Sequence, residues 1–345
     1  MLKRNGSAAD AAIAALFCEG VSVSQSMGLG GGFALTMYNR STKAVETLIA
    51  REMAPKAAYR DMFINETRIT GVKAIAVPGE LKGYWELHQR YGKLPWRTLV
   101  EPTIKLCREG HIVGPYLGRI LKKFENELRD SASLAEIYIN PETGNVWAEG
   151  EKIKRPQLAK TLEIIAEEGA DALYTRDGTL THMLVEELQQ LGGIITKGDF
   201  AAYKVAWGRP VSASLQNNVT LYSTPLPSSG GILAFILNIM NNYDSFEKSP
   251  KLYQRLVESF KFAYAQRSQF GDPTFEPEVQ RPFEEMLDPR YAKEIRQKIK
   301  DEVTFNEFQY YGASFANVED GGTAHISILT ETGDAIAVTS TINTM

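Results

Sequence analysis

Strand-like segments lie near both ends of this chain, and a long helical stretch separates them. Phe33–Tyr38 and Val45–Ala50 are β-prone apolar runs joined by turn residues at 39–43. Ala324–Leu329 and Ala335–Thr341 form a second such pair around Glu331-Thr332-Gly333-Asp334. Between them a helical apolar period recurs, as in Trp96–Glu109, Pro156–Glu168 and Leu252–Gln269. Val205–Leu215 and Val219–Ser223 read as further strands, divided by Gln216-Asn217-Asn218. Near the start, Ser7 and Asp10 have capping-box spacing at the head of an alanine-rich helix over Ala8–Cys18. The pattern predicts an α+β fold in which helices cover a sheet.

The totals narrow the function. A formal net charge of −4 with no block of like charge leaves no basic footprint for nucleic acid and no polybasic stretch for an anionic membrane. Four scattered histidines lack metal-ligand spacing, so no metal and no cofactor are expected. Cys18 and Cys107 are too few for a disulfide scaffold. No apolar run reaches the ~18 residues of a membrane-spanning helix.

The chemistry-bearing stretch is Asp320-Gly321-Gly322-Thr323-Ala324-His325-Ile326-Ser327. Two glycines precede a threonine that opens a strand, and glycine lets a strained peptide form at Gly322–Thr323. The Thr323 hydroxyl could then attack the Gly322 carbonyl, turning the peptide into an ester that water splits. The freed α-amine, with an ordinary pKa near ~7.7–8.0, could serve as base for the hydroxyl beside it. By itself Asp-Gly-Gly-Thr is also an ordinary turn before a strand.

Two other segments bear on that choice. In Val338-Thr339-Ser340-Thr341-Ile342-Asn343, strand alternation would put Thr339, Thr341 and Asn343 on one polar face. That face could meet the nucleophile on the partner strand, or simply meet solvent. In Ala50-Arg51-Glu52-Met53-Ala54-Pro55, Arg51 ends an apolar strand, where its fork could clamp a carboxylate or form an ion pair with Glu52. The run Gly28–Gly32 enters a strand and lacks a following Lys-Ser/Thr, so it reads as close backbone packing and not as a phosphate loop.

Taken in order, these segments resemble the γ-glutamyltransferase family (γ-glutamyl transpeptidase, glutathione hydrolase) of the animal type. The likeness runs from Asn5 to Asn343. It includes Gly6–Ala14, Ser26–Phe33, Arg51–Pro55, Ala76-Val77-Pro78-Gly79-Glu80, Tyr91–Trp96, Pro227–Gly231, Phe270–Pro273, Asp320–Ser327 and Thr339–Asn343. The resemblance implies the N-terminal-nucleophile hydrolase fold, an αββα four-layer sandwich. It implies a large-subunit-like region, 1–322, and the start of a small-subunit-like region, 323–345, within one composite domain. Cleavage would fall between Gly322 and Thr323, giving a large/small heterodimer from a zymogen.

On the same resemblance, Thr323 is the nucleophile and Thr341 orients it. Asn343 contacts the glutamyl α-amino end, and Arg51 holds its α-carboxylate. The substrates would be glutathione and other γ-glutamyl compounds, with water, an amino acid or a dipeptide as acceptor. The family continues beyond Asn343 with acidic contacts to the substrate amine, a Ser-Ser pair and a Gly-Gly oxyanion hole. It also usually has a strand before Asn5. The chain is therefore expected to be truncated at both ends and incomplete at the C-terminus. A catalytically inactive paralogue, acting as a binding or partner subunit, is the alternative. An amidase for another acyl group is a further one, against which Arg51 argues. Cell-surface or extracellular placement, with a membrane anchor in animal-type members, is implied by the family alone. Sequons at Asn5, Asn39, Asn65 and Asn218 suit a secreted glycoprotein, with Asn5 expected to be shielded by the first helix.

Overall fold

The computed structural model describes residues 1–64, 71–313 and 322–343. Its first helix, α1 (Ala8–Ser22), starts where the sequence pattern puts it. Ser7 accepts from the Asp10 amide, and Asp10 accepts from the Ser7 amide, closing the capping box. Asp10 is fully buried and also accepts from the amides of Lys93 and Leu94 at 3.0 and 3.2 Å. One carboxylate thus starts α1 and fixes the turn between α2 (Glu80–Tyr91) and α3 (Trp96–Glu109). Asp10→Ala would leave the part-buried amides of Ser7, Lys93 and Leu94 without their acceptor, at about 1 kcal/mol each, and would remove the cap of α1. We expect a loss of about 3 kcal/mol or more, read as a lower urea midpoint at unchanged m.

The main sheet is antiparallel throughout. It contains β1 (Gly32–Tyr38), β2 (Val45–Ala50), β3 (Ala206–Gly208), β6 (Ala324–Leu329) and β7 (Ala335–Thr341), in the order β3–β2–β1–β7–β6. The two hairpins that bracket the chain are therefore neighbours, joined through β1 and β7. Register aligns Gly32 with Thr341, Phe33 with both Ala50 and Ser340, and Ala324 with Ser340. Strands β1 and β6 begin, and β2 and β7 end, at the same rim of the sheet. That rim is where the site forms.

One face of the sheet packs on helices. Phe33, Leu35, Leu48, Ile336 and Val338 enter a core with α1, α2, α3, α4 (Pro156–Glu168) and α5 (Thr179–Gln190). The alternation is clean on β7, where Ile336, Val338 and Ser340 are buried and Ala337 and Thr339 are exposed. A second core joins the hairpin β4 (Val211–Leu215) and β5 (Val219–Ser223) with α6 (Gly230–Met240), α7 (Pro250–Arg267), α8 (Gln280–Leu287) and α9 (Pro289–Lys298). Within it, buried Glu258 accepts from Thr304 and Tyr311, anchoring the segment that leads toward Thr323.

Several expectations are corrected. The run Val205–Leu215 is not one strand. Arg209-Pro210 divides it, sending Ala206–Gly208 to the main sheet and Val211–Leu215 to the second hairpin. Proline has no amide for a ladder, so the chain switches sheets there. Beyond α3, the helix Pro115–Lys123 breaks at Phe124 into Glu125–Asp130, and a further short helix spans Ala132–Tyr138. Asn5 is exposed, because it ends a short 3-10 turn with φ 62° before α1 begins. Asn218 is exposed and Asn39 half-buried, while Asn65 lies outside the described residues. No helix among the described residues is long and apolar enough to cross a membrane.

Candidate active site

Antiparallel register brings together residues that the sequence scatters. Thr323 stands just before β6, Thr341 ends β7, and Arg51 follows β2. The Thr341 hydroxyl donates to the Gly322 carbonyl at 3.0 Å. It accepts from the Thr323 hydroxyl at 3.3 Å and from the Asn343 amide at 3.0 Å. One donated and two accepted bonds exhaust that hydroxyl. Its proton therefore points at the carbonyl preceding the candidate nucleophile. Asp320 and Gly321 lie outside the described residues.

Arg51 and Asn343 meet from 292 residues apart, with Nη2 donating to Oδ1 at 2.6 Å. The guanidinium also pairs with the nearly buried Glu52 carboxylate at 3.1 Å, so the ion pair that the sequence offered as one alternative is present. Tyr203 donates to the Arg51 carbonyl at 2.8 Å, pinning the backbone under the guanidinium. Asn343 itself departs from expectation. Strand β7 stops at Thr341, and Asn343 sits in the left-handed region at φ 73°, off the strand face shared by Thr339 and Thr341. That turn carries its side chain toward Arg51. Asparagine tolerates such a conformation better than most residues.

The glycine run acts by absence of bulk. A Cβ on Gly31 would overlap the Thr341 carbonyl oxygen, and one on Gly32 would overlap that of Ala50. The Gly31 carbonyl accepts from the amides of Gly79 and Glu80 at 2.9 and 3.0 Å, which seats the start of α2 behind the rim. Close backbone packing is thus the run's role, as its composition suggested.

Sequence reasoning missed Glu80 as part of this neighbourhood. It lies fully buried behind the rim, accepting from Ser340 at 2.8 Å and Tyr84 at 2.5 Å through Oε1. Burial pushes its carboxyl up to about 8, against the opposing pull of those two hydrogen bonds. A glutamate after Pro-Gly at a helix start reads as an ordinary first-turn acid, and no signal in the sequence marks it as buried. His325 is not drawn into the array. Its ring bonds Thr339 at 2.8 Å and Ser327 at 3.1 Å on the exposed face. No group of His, Cys, Asp and Glu among the described residues could hold a metal ion.

Comparison with known proteins adds an independent line. Residues 1–345 match the family described as Gamma-glutamyltranspeptidase. The chain is 41% identical to glutathione hydrolase 5 proenzyme of Rattus norvegicus over 356 residues, 100% of this chain and 61% of that protein. It is 40% identical to Scoloptoxin SSD14 of Scolopendra dehaani, over 99% of this chain and 60% of that protein. The chain thus spans about three-fifths of the length of these curated relatives. Among solved structures, the Helicobacter pylori gamma-glutamyltranspeptidase superposes with a TM-score of 0.81 at 29% identity, covering 88% of each chain.

Proposed function

The chain belongs to the gamma-glutamyltranspeptidase family, with the N-terminal-nucleophile hydrolase fold, and on that premise we propose that it is a self-processing enzyme of γ-glutamyl transfer with Thr323 as nucleophile. The observation that carries this reading is the hydrogen-bond array at Gly322, Thr323 and Thr341.

Processing would run as follows. Thr323 Oγ attacks the Gly322 carbonyl carbon while its proton passes toward Thr341 Oγ. Thr341 donates its own proton toward the carbonyl oxygen, where negative charge develops. The tetrahedral intermediate expels the Thr323 nitrogen, which takes up a proton, leaving an ester between Gly322 and the threonine side chain. Water then splits the ester into a Gly322 carboxylate and a free Thr323 amine. That amine becomes the base for the next reaction, at the γ-amide of glutathione or another γ-glutamyl compound. The glutamyl group is held as a Thr323 ester and passes to water, an amino acid or a dipeptide.

Arg51 would face the glutamyl α-carboxylate and Asn343 the α-amino end. Their mutual contact supports a shared subsite. On this reading, residues 1–322 and the part from Thr323 onward remain together as a heterodimer, at the cell surface or outside the cell. The test is glutamate release from glutathione, compared with the peptide of the same residues joined through the α-carboxyl. Release from the first alone is expected; equal release or none would overturn the assignment. Thr341→Val removes the hydroxyl at constant shape. It should slow self-cleavage about tenfold to hundredfold, the equivalent of one lost hydrogen bond to a carbonyl of about 1–3 kcal/mol. A time course of intact mass reads this directly.

A further inference from the structure

We propose that Glu80 is a positioning residue for the Thr323 reaction: by accepting from Ser340 on β7 and Tyr84 on α2, it holds the end of β7, and with it the Thr341 hydroxyl, at the Gly322 carbonyl. The inference rests on the reading of Thr323 given above for its chemistry, though not for its structural content.

The geometry puts Glu80 and the start of α2 at a junction of three of the four strands that meet at the rim. Its amide and that of Gly79 hold the Gly31 carbonyl before β1. Its carboxyl holds Ser340, the neighbour of Thr341 on β7. A Cβ on the adjacent Gly79 would overlap the Ala50 carbonyl oxygen at the end of β2, so the start of α2 touches that strand without a spacer. Ser340 is fully buried and points away from the site, as alternation requires when Thr341 points into it. A pull on Ser340 therefore sets the height and rotation of Thr341.

The carboxyl must be neutral to do this without cost. Among the described residues Oε2 has no hydrogen-bond partner, so an anion here would leave half its charge buried and unpaired. The groups facing it give incomplete relief. Glu52 raises its proton affinity, Arg51 lowers it, and the bonds from Tyr84 and Ser340 favour the anion. Burial also lifts the phenols of Tyr84, Tyr174 and Tyr203 above their ordinary value. Burial thus favours the protonated form of Glu80, its carboxyl pushed up to about 8. The sign follows. A carboxyl with a raised folded-state value stabilises its surroundings less as pH climbs from about 4.5 to about 8. Any opening that frees Glu80 to water, the release of β7 from it among them, should therefore become easier on the alkaline side.

The test uses Glu80→Gln, which mimics the neutral acid, and Glu80→Ala, which removes the anchor. In a Thr323→Ala background, amide exchange over 336–343 is measured by mass spectrometry at pH 7 and pH 9 after correction for intrinsic rates. Glu80→Ala should raise exchange about tenfold or more. The Glu80 protein should lose protection at pH 9 relative to pH 7, and Glu80→Gln should not. In the Thr323 protein, the ratio of self-cleavage rates at pH 9 and pH 7 should be several-fold lower with Glu80 than with Glu80→Gln. Equal ratios, or unchanged exchange in Glu80→Ala, would overturn the proposal. Should no protein cleave while the exchange pattern holds, the enzymatic reading fails and the anchoring role stands. A Glu80→Ala protein that does not fold leaves the Glu80→Gln comparison to decide.

Discussion

Thr323→Ala protein is expected to keep a single intact mass, while the unmodified chain releases the segment that begins at Thr323. The expectation follows from stoichiometry. Among the described residues, only the Thr323 hydroxyl both adjoins the Gly322 carbonyl and bonds the group that polarises it. Alanine removes the attacking oxygen and leaves the Thr341–Gly322 bond intact, so no other change in the rim is required. Removing a nucleophile costs about four to six orders of magnitude in such reactions. On a laboratory timescale that is no cleavage at all. Thr323→Ser keeps the oxygen and should still cleave, because a primary hydroxyl can form the same ester. N-terminal sequencing of the released segment should begin with residue 323. Cleavage of the alanine protein at the same bond would show a contaminating protease or a different nucleophile, and the scheme would fall. Glutathione breakdown should be lost in parallel, since the amine that serves as base exists only after processing.

How much of this was legible in the sequence differs from element to element. Ser7 and Asp10 predicted the start of α1, because a capping box is a local pattern with a local cause. The strands Phe33–Tyr38 and Ala335–Thr341 were legible from residue type, and the structure extends the first by one residue, to Gly32. Their pairing was not. Nothing local says that β1 lies beside β7 rather than in a separate sheet; that is fixed by the shared core of Phe33, Leu35, Ile336 and Val338. The site inherits the same division. Thr323, Thr341 and Arg51 could be named from their motifs, yet the contact between Arg51 and Asn343 depends on a sheet register and on a left-handed turn after β7. Glu80 was invisible for a related reason. It is buried where its carboxyl bonds Ser340 and Tyr84, and neither position carries a mark in sequence.

Arg51→Ala should raise KM for γ-glutamyl substrates by about a hundredfold to a thousandfold, within the 2–5 kcal/mol expected when one partner of a hydrogen-bonded charge pair is removed. On the proposed reading its guanidinium is preset for a planar anion. Glu52 holds one side at 3.1 Å, Tyr203 fixes the backbone, and Asn343 marks where a ligand's polar end would lie. Arg51→Lys keeps the charge but loses the fork, so it should recover only part of the affinity. Because Glu52 would be left with a buried, uncompensated charge in Arg51→Ala, a general loss of stability could imitate a binding defect. A substrate lacking the α-carboxylate separates the two. A 4-aminobutyryl amide presents the same scissile carbonyl and an amine, with nothing for Arg51 to grip. If Arg51 acts on the carboxylate, the alanine change should penalise the γ-glutamyl amide heavily and the 4-aminobutyryl amide hardly at all. An equal penalty on both would make Arg51 a structural support for the rim, and recognition of the glutamyl end would then have to come from other groups.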